Sequence, residues 1–279
     1  MTNTELLNYS TQIRRDCLRM IHSAQSGHPG GSLGCADFFT IMYAEILNYE
    51  VKNFAIDGNN EDVFFLSNGH ISPVWYSTLA RFGFFPISEL STFRKLETRL
   101  QGHPSPSFNL PGIRIASGSL GQGLSVALGM AQNKMLNNDN SVTFCLMGDG
   151  EIQEGQIWEA IMYGGAKNVK NIVAVIDYNN KQIDGDVSDV MALESIRDKW
   201  SSFHWNVMEM DGHDFDDMRK VLTEAKQQSS NKPVVIIMRT HMGQGVDFML
   251  DNHKWHGSPP NDDEIKIALS QLKETLGDY

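Results

Sequence analysis

The apolar run VTFCLM leads into GDGEIQEGQ at residues 148–156, which sets Asp149 between two glycines with two more carboxylates, Glu151 and Glu154, just beyond. A second apolar run, NIVAVIDY, ends in Asn179 and Asn180, and Asn179 lies thirty residues after Asp149. A carboxylate and an amide oxygen form a hard-oxygen pair, suited to Mg²⁺ or Ca²⁺ and poorly suited to zinc. Mg²⁺ held by so few protein groups usually shares its coordination sphere with phosphates, which makes a diphosphate the obvious companion. On GDG alone the commoner reading is plainer: a strand-to-helix turn with the aspartate as N-cap. Glu151 has no role at this level beyond a favourable negative charge in a helix's first turn.

Four of the nine histidines lie in loops flanked by glycine or proline: His28 in SGHPGG, His70 in LSNGH, His103 in QGHPSP and His256 in WHGSPP. Glycine lets a ligand approach the backbone, and imidazole can donate to a phosphate or move a proton near neutral pH. One such histidine is ordinarily solvated or locally bonded; four together point to a site. GSLGQGLSVALGMA opens an apolar helix with glycines in the order G-x-x-G-x-G (Gly118, Gly121, Gly123), an arrangement whose free N–H groups can face a phosphate. It has neither GK[ST] nor the GxGxxG spacing, and close helix packing accounts for its glycines equally well. His253 and His256 could share a metal at i, i+3, but no third ligand is near in sequence and Pro259-Pro260 mark a loop, so zinc is set aside.

These residues need a scaffold that gathers them. VTFCLM, NIVAVIDY and KPVVIIMRT are dense apolar runs of strand length, DVFFLSNGH is a shorter one stopped by a turn, and EGQIWEAIMYGGAKN between the first two reads as a helix. Residues 4–24 approximate helical spacing, SLGCADFFTIMYAEILNY reads as one strongly apolar helix, and the acidic tail reads as a terminal amphipathic helix. Dense strands alternating with helices predict an α/β fold, a mostly parallel sheet covered on both faces, as one domain over residues 1–279. A right-handed crossover then brings Asp149 and Asn179 out at the same sheet edge, on strands about 4.8 Å apart or about twice that, within reach of one ion. Ligands of open parallel sheets bind at that carboxyl edge.

Lys plus Arg total 23 against 34 Asp plus Glu, and the net charge of −11 argues against nucleic acid as a partner. The three cysteines are far apart, without CxxC spacing, which fits a reducing cytoplasm. No signal-peptide core opens the chain and no run approaches 18 uninterrupted apolar residues, so a soluble protein off the membrane is expected.

GDGEIQEGQIWEA followed by IVAVIDYNNKQIDG resembles the thiamine diphosphate motif in its transketolase form, and SGHPGGSLG, FFLSNGH, QGHP and GSLGQG are similar, in order, to successive loops of the transketolase N-terminal half. The resemblance covers about residues 10–260. It implies the three-layer thiamine-diphosphate-binding fold, with Mg²⁺ (or Ca²⁺) held by the side chains of Asp149 and Asn179 and the carbonyl of Lys181. It implies cofactor contacts from His70, Gly150 and the Gly121-Gln122-Gly123 loop. His28 and His103 would serve proton transfer or hydroxyl binding, and Glu154 a carboxylate network between two cofactor sites. The family's later histidine, near the diphosphate, falls on His253 when THxxHG is aligned with NHKWHG, with His256 the alternative.

A full transketolase continues into a domain that holds the cofactor's pyrimidine and the glutamate that activates it. A chain ending at Tyr279 therefore resembles the diphosphate-binding subunit of a split transketolase, working with a separate pyrimidine-binding subunit in an α2β2 heterotetramer on sugar phosphates. The implied reaction moves a two-carbon ketol unit from a ketose to an aldose. A related reading passes the unit to a carrier-protein or lipoyl thiol, or takes a 2-oxo acid as donor, as dehydrogenase subunits do. A non-enzymatic, regulatory subunit is the third reading, opposed by the intact Asp149, Asn179 and histidine set.

Overall fold

The computed structural model describes residues 1–279. Its strands are β1 (Val63–Leu66), β2 (Thr143–Gly148), β3 (Ile172–Tyr178), β4 (Lys181–Gln182), β5 (Gly185–Asp186), β6 (Asn206–Asp211) and β7 (Val234–Arg239). Five form a parallel sheet in the order β1-β2-β3-β7-β6, while β4 and β5 make a small antiparallel hairpin. The four runs expected as strands are β1, β2, β3 and β7, and each is almost wholly buried. NVMEMD, the sixth strand, carries no such run. It lies at the sheet edge with only Met210 fully buried, so its pattern is mixed.

Ten α-helices accompany the sheet: α1 (Asn3–Ala24), α2 (Pro29–Gly34), α3 (Ala36–Ile41), α4 (Ser72–Arg81), α5 (Gly123–Leu136), α6 (Gly155–Ala166), α7 (Val187–Met191), α8 (Ile196–Ser202), α9 (Phe215–Gln228) and α10 (Asp262–Gln271). Alternation along the strands divides their side chains between two cores. Phe64, Leu66, Phe144, Leu146, Val173 and Val175 pack with residues of α1, α3, α4 and α9. Phe65, Cys145, Met147, Ala174 and Ile176 pack with α5, α6 and the pair Trp200 and Trp205. Each fully buried Leu, Ile, Val or Phe contributes about 1.5–3 kcal/mol, so both faces favour the same strand register. All three cysteines are free and buried. No helix is long and apolar enough to cross a membrane.

The single helix expected from SLGCADFFTIMYAEILNY is instead three pieces, α2, α3 and a π-helical turn over Met42–Ile46, with Cys35 at ψ 0° between the first two. α2 serves as a docking surface for a distant loop. A Cβ on Gly30 would stand 2.5 Å from Met242 Cγ and 2.9 Å from the Trp255 carbonyl, so only glycine permits the approach. The Gly243 N–H donates to the Gly30 carbonyl at 2.9 Å and fixes the loop there. That contact delivers His256 to the carboxyl edge of the sheet.

Candidate active site

β2 and β3 are direct neighbours, with Gly148 opposite Asp177, so the residues that follow them emerge side by side. Asp149 is 2% exposed. Its Oδ1 accepts the Gly150 N–H at 2.8 Å and its Oδ2 accepts the Asn180 N–H at 2.5 Å. Helix α6 starts only at Gly155, so Asp149 does not cap it; the cap position is Glu154. Asn179 donates from Nδ2 to Asp177 Oδ2 at 2.9 Å, and its Oδ1 accepts the Lys181 N–H at 2.8 Å, which leaves that oxygen a second lone pair. Asp177 is buried and also accepts the Thr240 hydroxyl, so it fixes the amide orientation of Asn179. Burial, reinforced by the charge of Asp177, pushes the Asp149 carboxyl up to about 8. Burial raises Asp177 as well.

Glu151 is not a first-turn charge on the surface. It is 3% exposed, and it ties three loops together by accepting the Ser67 hydroxyl, the Gly121 N–H at 2.8 Å and the Gly148 N–H at 3.2 Å. The same network corrects the expectation of free N–H groups in GSLGQG. Gly121 donates to Glu151 and Gly123 donates to Ser67 Oγ at 3.1 Å, while the Gln122 side chain bonds Gln156 at 2.7 Å. From this loop it is Leu120 that faces the cavity.

The cavity has a volume of about 250 Å³, and its lining includes Asp149, Gly150, Asn179 and Lys181 on one side and His70 and His256 on the other. The rings of His28, His70 and His256 form a triangle with centroids 4.7 Å (His28–His70), 5.3 Å (His70–His256) and 5.7 Å (His28–His256) apart. Burial, with His256, Arg94 and His103 nearby, lowers His28 to about 4. Burial also pulls His70 well below its ordinary value and lowers His256. All three are neutral near pH 7.

His253 is exposed in a short 3-10 turn and stands outside this triangle; the position expected for it is taken by His256. A loop three residues long decides between them, and no periodicity fixes its register. His103 is exposed with its ring against Gly118, and burial of part of the ring and the charge of Arg94 lower it. Glu154 is exposed on the cavity rim. A wider groove of about 700 Å³ opens beside the cavity at the ends of β6 and β7, sharing Asn179 and Lys181, but the charges of its wall are largely paired, Arg239 with Glu209 and His241 with Asp251.

Three buried polar atoms in this region have no partner: His28 Nδ1, Asn68 Oδ1 and Ser117 Oγ. Unpaired buried polar atoms are costly, and one of them, on Asn68, shares the cavity with the carboxylate pair Asp149 and Asp177 raised by burial. A diphosphate with its cation answers both needs, so the residues present fit that group. Sequence reasoning missed Asp177, Glu151, Asn68 and Thr240. Asp177 left a signal: it is the one charged residue in NIVAVIDY.

Residues 7–277 match the family described as transketolase, thiamine diphosphate binding domain. The chain is 35% identical over 267 residues to an apulose-4-phosphate transketolase subunit of Phocaeicola vulgatus, covering 96% of this chain and 93% of that one. It is 33% identical to the 6-deoxy-6-sulfo-D-fructose transketolase subunit SqwG of Clostridium sp., over 97% of each chain. Among solved structures, transketolase from Campylobacter jejuni superposes with a TM-score of 0.88 at 32% identity, covering 97% of this chain but 43% of that one. The fold, the order of its loops and these likenesses agree: the chain belongs to the transketolase family, as a thiamine diphosphate binding domain of the length found in the relatives named as transketolase subunits.

Proposed function

We propose that the chain, as one domain over residues 1–279, is the diphosphate- and Mg²⁺-binding subunit of a two-component transketolase. A separate pyrimidine-binding subunit completes it, as a cytoplasmic α2β2 heterotetramer moving a two-carbon ketol unit from a ketose phosphate to an aldose acceptor. The observation that carries this reading is the buried Asp149, raised to about 8 by burial and by Asp177, beside an amide oxygen of Asn179 and across a cavity from neutral histidines. Asp149, Asn179 and the Lys181 carbonyl would hold Mg²⁺, which would supply the missing positive charge beside a diphosphate. When bound, thiamine diphosphate supplies the electron sink for breaking and remaking the bond beside a ketose carbonyl.

The chain's own residues orient and exclude. His70 and Gly150 line the cavity where the diphosphate would lie, and His256 closes its far wall. His28, neutral because it is buried, can accept or donate a hydrogen bond to a sugar hydroxyl without adding charge. Exposed His103 is the candidate for holding a proton as the acceptor enters, and Glu154, exposed on the cavity rim, faces the surface available to a partner. The buried free cysteines suit a reducing compartment.

The test is reconstitution. The purified chain with Mg²⁺ and thiamine diphosphate is expected to show no ketose-to-aldose transfer, and addition of the pyrimidine-binding subunit is expected to restore it. Turnover by the chain alone would overturn the split assembly; a complete assembly inert toward every ketose would overturn ketol transfer.

A further inference from the structure

The loop that carries His256 leaves β7 at His241, and its first amide is held from outside the loop. The His241 N–H donates to His213 Nε2 at 2.9 Å, and the two imidazole rings stack 5.6 Å apart, 13° from parallel. His213 lies in the turn between β6 and α9 with its side chain 13% exposed, and its Nδ1 bonds Asp37 Oδ2 at 2.8 Å. A backbone N–H can only donate, so Nε2 keeps its lone pair and the ring proton sits on Nδ1, facing the carboxylate. Asp37 is held in turn by Arg14, whose Nε also donates to the Leu33 carbonyl at 3.0 Å. One neutral imidazole therefore ties the end of β7 to α1, α2 and α3.

The loop hung from that point is closed on itself. His241 Nδ1 bonds Asp251 Oδ2 at 2.9 Å, and the Asp251 N–H donates to the Met242 carbonyl at 2.8 Å. Trp255, 3% exposed, packs in one cluster with Leu33 and Met249, and its Nε1 donates to the Phe248 carbonyl at 3.0 Å. Beneath the loop, α2 presents Gly34 one turn after Gly30, on the same face; a Cβ on Gly34 would stand 2.9 Å from the His241 carbonyl oxygen. The bond from Gly243 to Gly30 seats the loop on that face, and His213 holds the residue at which it leaves the sheet. Met242 and His256, the two loop residues that line the cofactor cavity, are thus placed by a histidine that does not line it.

We propose that His213 is a positioning residue for the cofactor cavity: as a neutral ring with its proton on Nδ1, it clamps the loop 241–256 against α2 and so sets Met242 and His256 in the cavity wall. The inference goes beyond the proposed function in naming what holds that wall, and only its cofactor arm rests on that reading. Two roles of the ring can be separated by substitution. Satisfying Asp37 needs a donor or a positive charge, whereas holding His241 needs an acceptor. Glutamine carries both groups on its carboxamide, lysine only the donor, and phenylalanine neither.

The experiment compares wild type with His213→Gln, His213→Lys and His213→Phe. Hydrogen exchange of residues 241–256, read by mass spectrometry on the full cofactor-free chain, is expected to speed up about 10-fold or more in His213→Lys and His213→Phe, and to stay within about threefold in His213→Gln. Calorimetric titration of the assembled two-subunit enzyme with thiamine diphosphate at fixed Mg²⁺ is expected to show affinity reduced several-fold in His213→Lys and retained in His213→Gln. Since the clamp acts through the loop, adding His213→Lys to His256→Ala is expected to leave affinity within about twofold of His256→Ala alone. Rescue by lysine and not by glutamine would overturn the inference and leave His213 as a partner of Asp37 only; so would unchanged loop exchange in all three variants. Faster exchange with full cofactor affinity, or losses that add in the double variant, would overturn the link from His213 to the cavity wall. An assembly in which the clamp behaves as expected and cofactor binds, yet no ketol unit moves, would count against ketol transfer alone.

Discussion

Two buried aspartates stand at the sheet's carboxyl edge and meet opposite fates. Asp37, on α3, is 4% exposed and accepts Arg14 Nη2 at 2.5 Å and Nη1 at 3.0 Å, with His213 Nδ1 at 2.8 Å. Burial alone would raise its carboxyl, but Arg14 and His213 together hold it well below the usual carboxylate range. Asp149, equally buried, receives only backbone N–H groups and rises to about 8. Burial is common to both, so the counter-charge makes the difference. A guanidinium stands ready for Asp37 and none for Asp149, so the first is a structural ion pair and the second an uncompensated carboxylate, which the proposed function assigns to a cation.

Substituting each aspartate is expected to change stability in opposite directions. Asp37→Asn leaves Arg14 buried without its partner, and urea unfolding is expected to show a loss of about 3–5 kcal/mol. Asp149→Asn is expected to make the cofactor-free chain more stable above neutral pH, while calorimetry on the assembled enzyme shows Mg²⁺-dependent thiamine diphosphate affinity reduced at least about 100-fold, roughly 2.7 kcal/mol. Equal signs in the two unfolding experiments would break the contrast. Glu151→Gln removes charge from the network that holds Ser67 and the Gly121 loop, so cofactor affinity is expected to drop about 10-fold without loss of metal dependence. The smallest effect separates two histidines: His256→Ala is expected to weaken cofactor binding several-fold, and His253→Ala to leave it within twofold, read by the same titration.

The sequence made the central strands legible because β2, β3 and β7 are buried on both faces and must be apolar throughout. β6 was not, since an edge strand half open to solvent carries no such run. Asp149 and Asn179 were readable from their place at strand ends, and the order of the glycine and histidine loops pointed to the family. What escaped depends on contacts between segments distant in sequence. The break between α2 and α3 accompanies a loop more than 200 residues downstream, and Glu151 acquires its role only when Ser67 and Gly121 arrive beside it. No local pattern encodes those meetings, which is also why His256, not His253, completes the triangle.

The most direct measurement is the stability of the cofactor-free chain against that of Asp149→Asn, by urea unfolding from pH 4.5 to pH 9. An acid whose folded value is raised stabilises the fold fully below its unfolded value and loses that contribution as pH rises through the folded value. For Asp149 the window runs from the ordinary 3.8 up to about 8. The advantage of Asp149→Asn is therefore expected to be small at pH 4.5, to grow by at most about 1.4 kcal/mol per pH unit, to level off above pH 8, and to reverse when Mg²⁺ and thiamine diphosphate are added. A stability difference independent of pH, or an advantage that survives saturation with Mg²⁺ and thiamine diphosphate, would contradict an uncompensated carboxylate built to receive a cation.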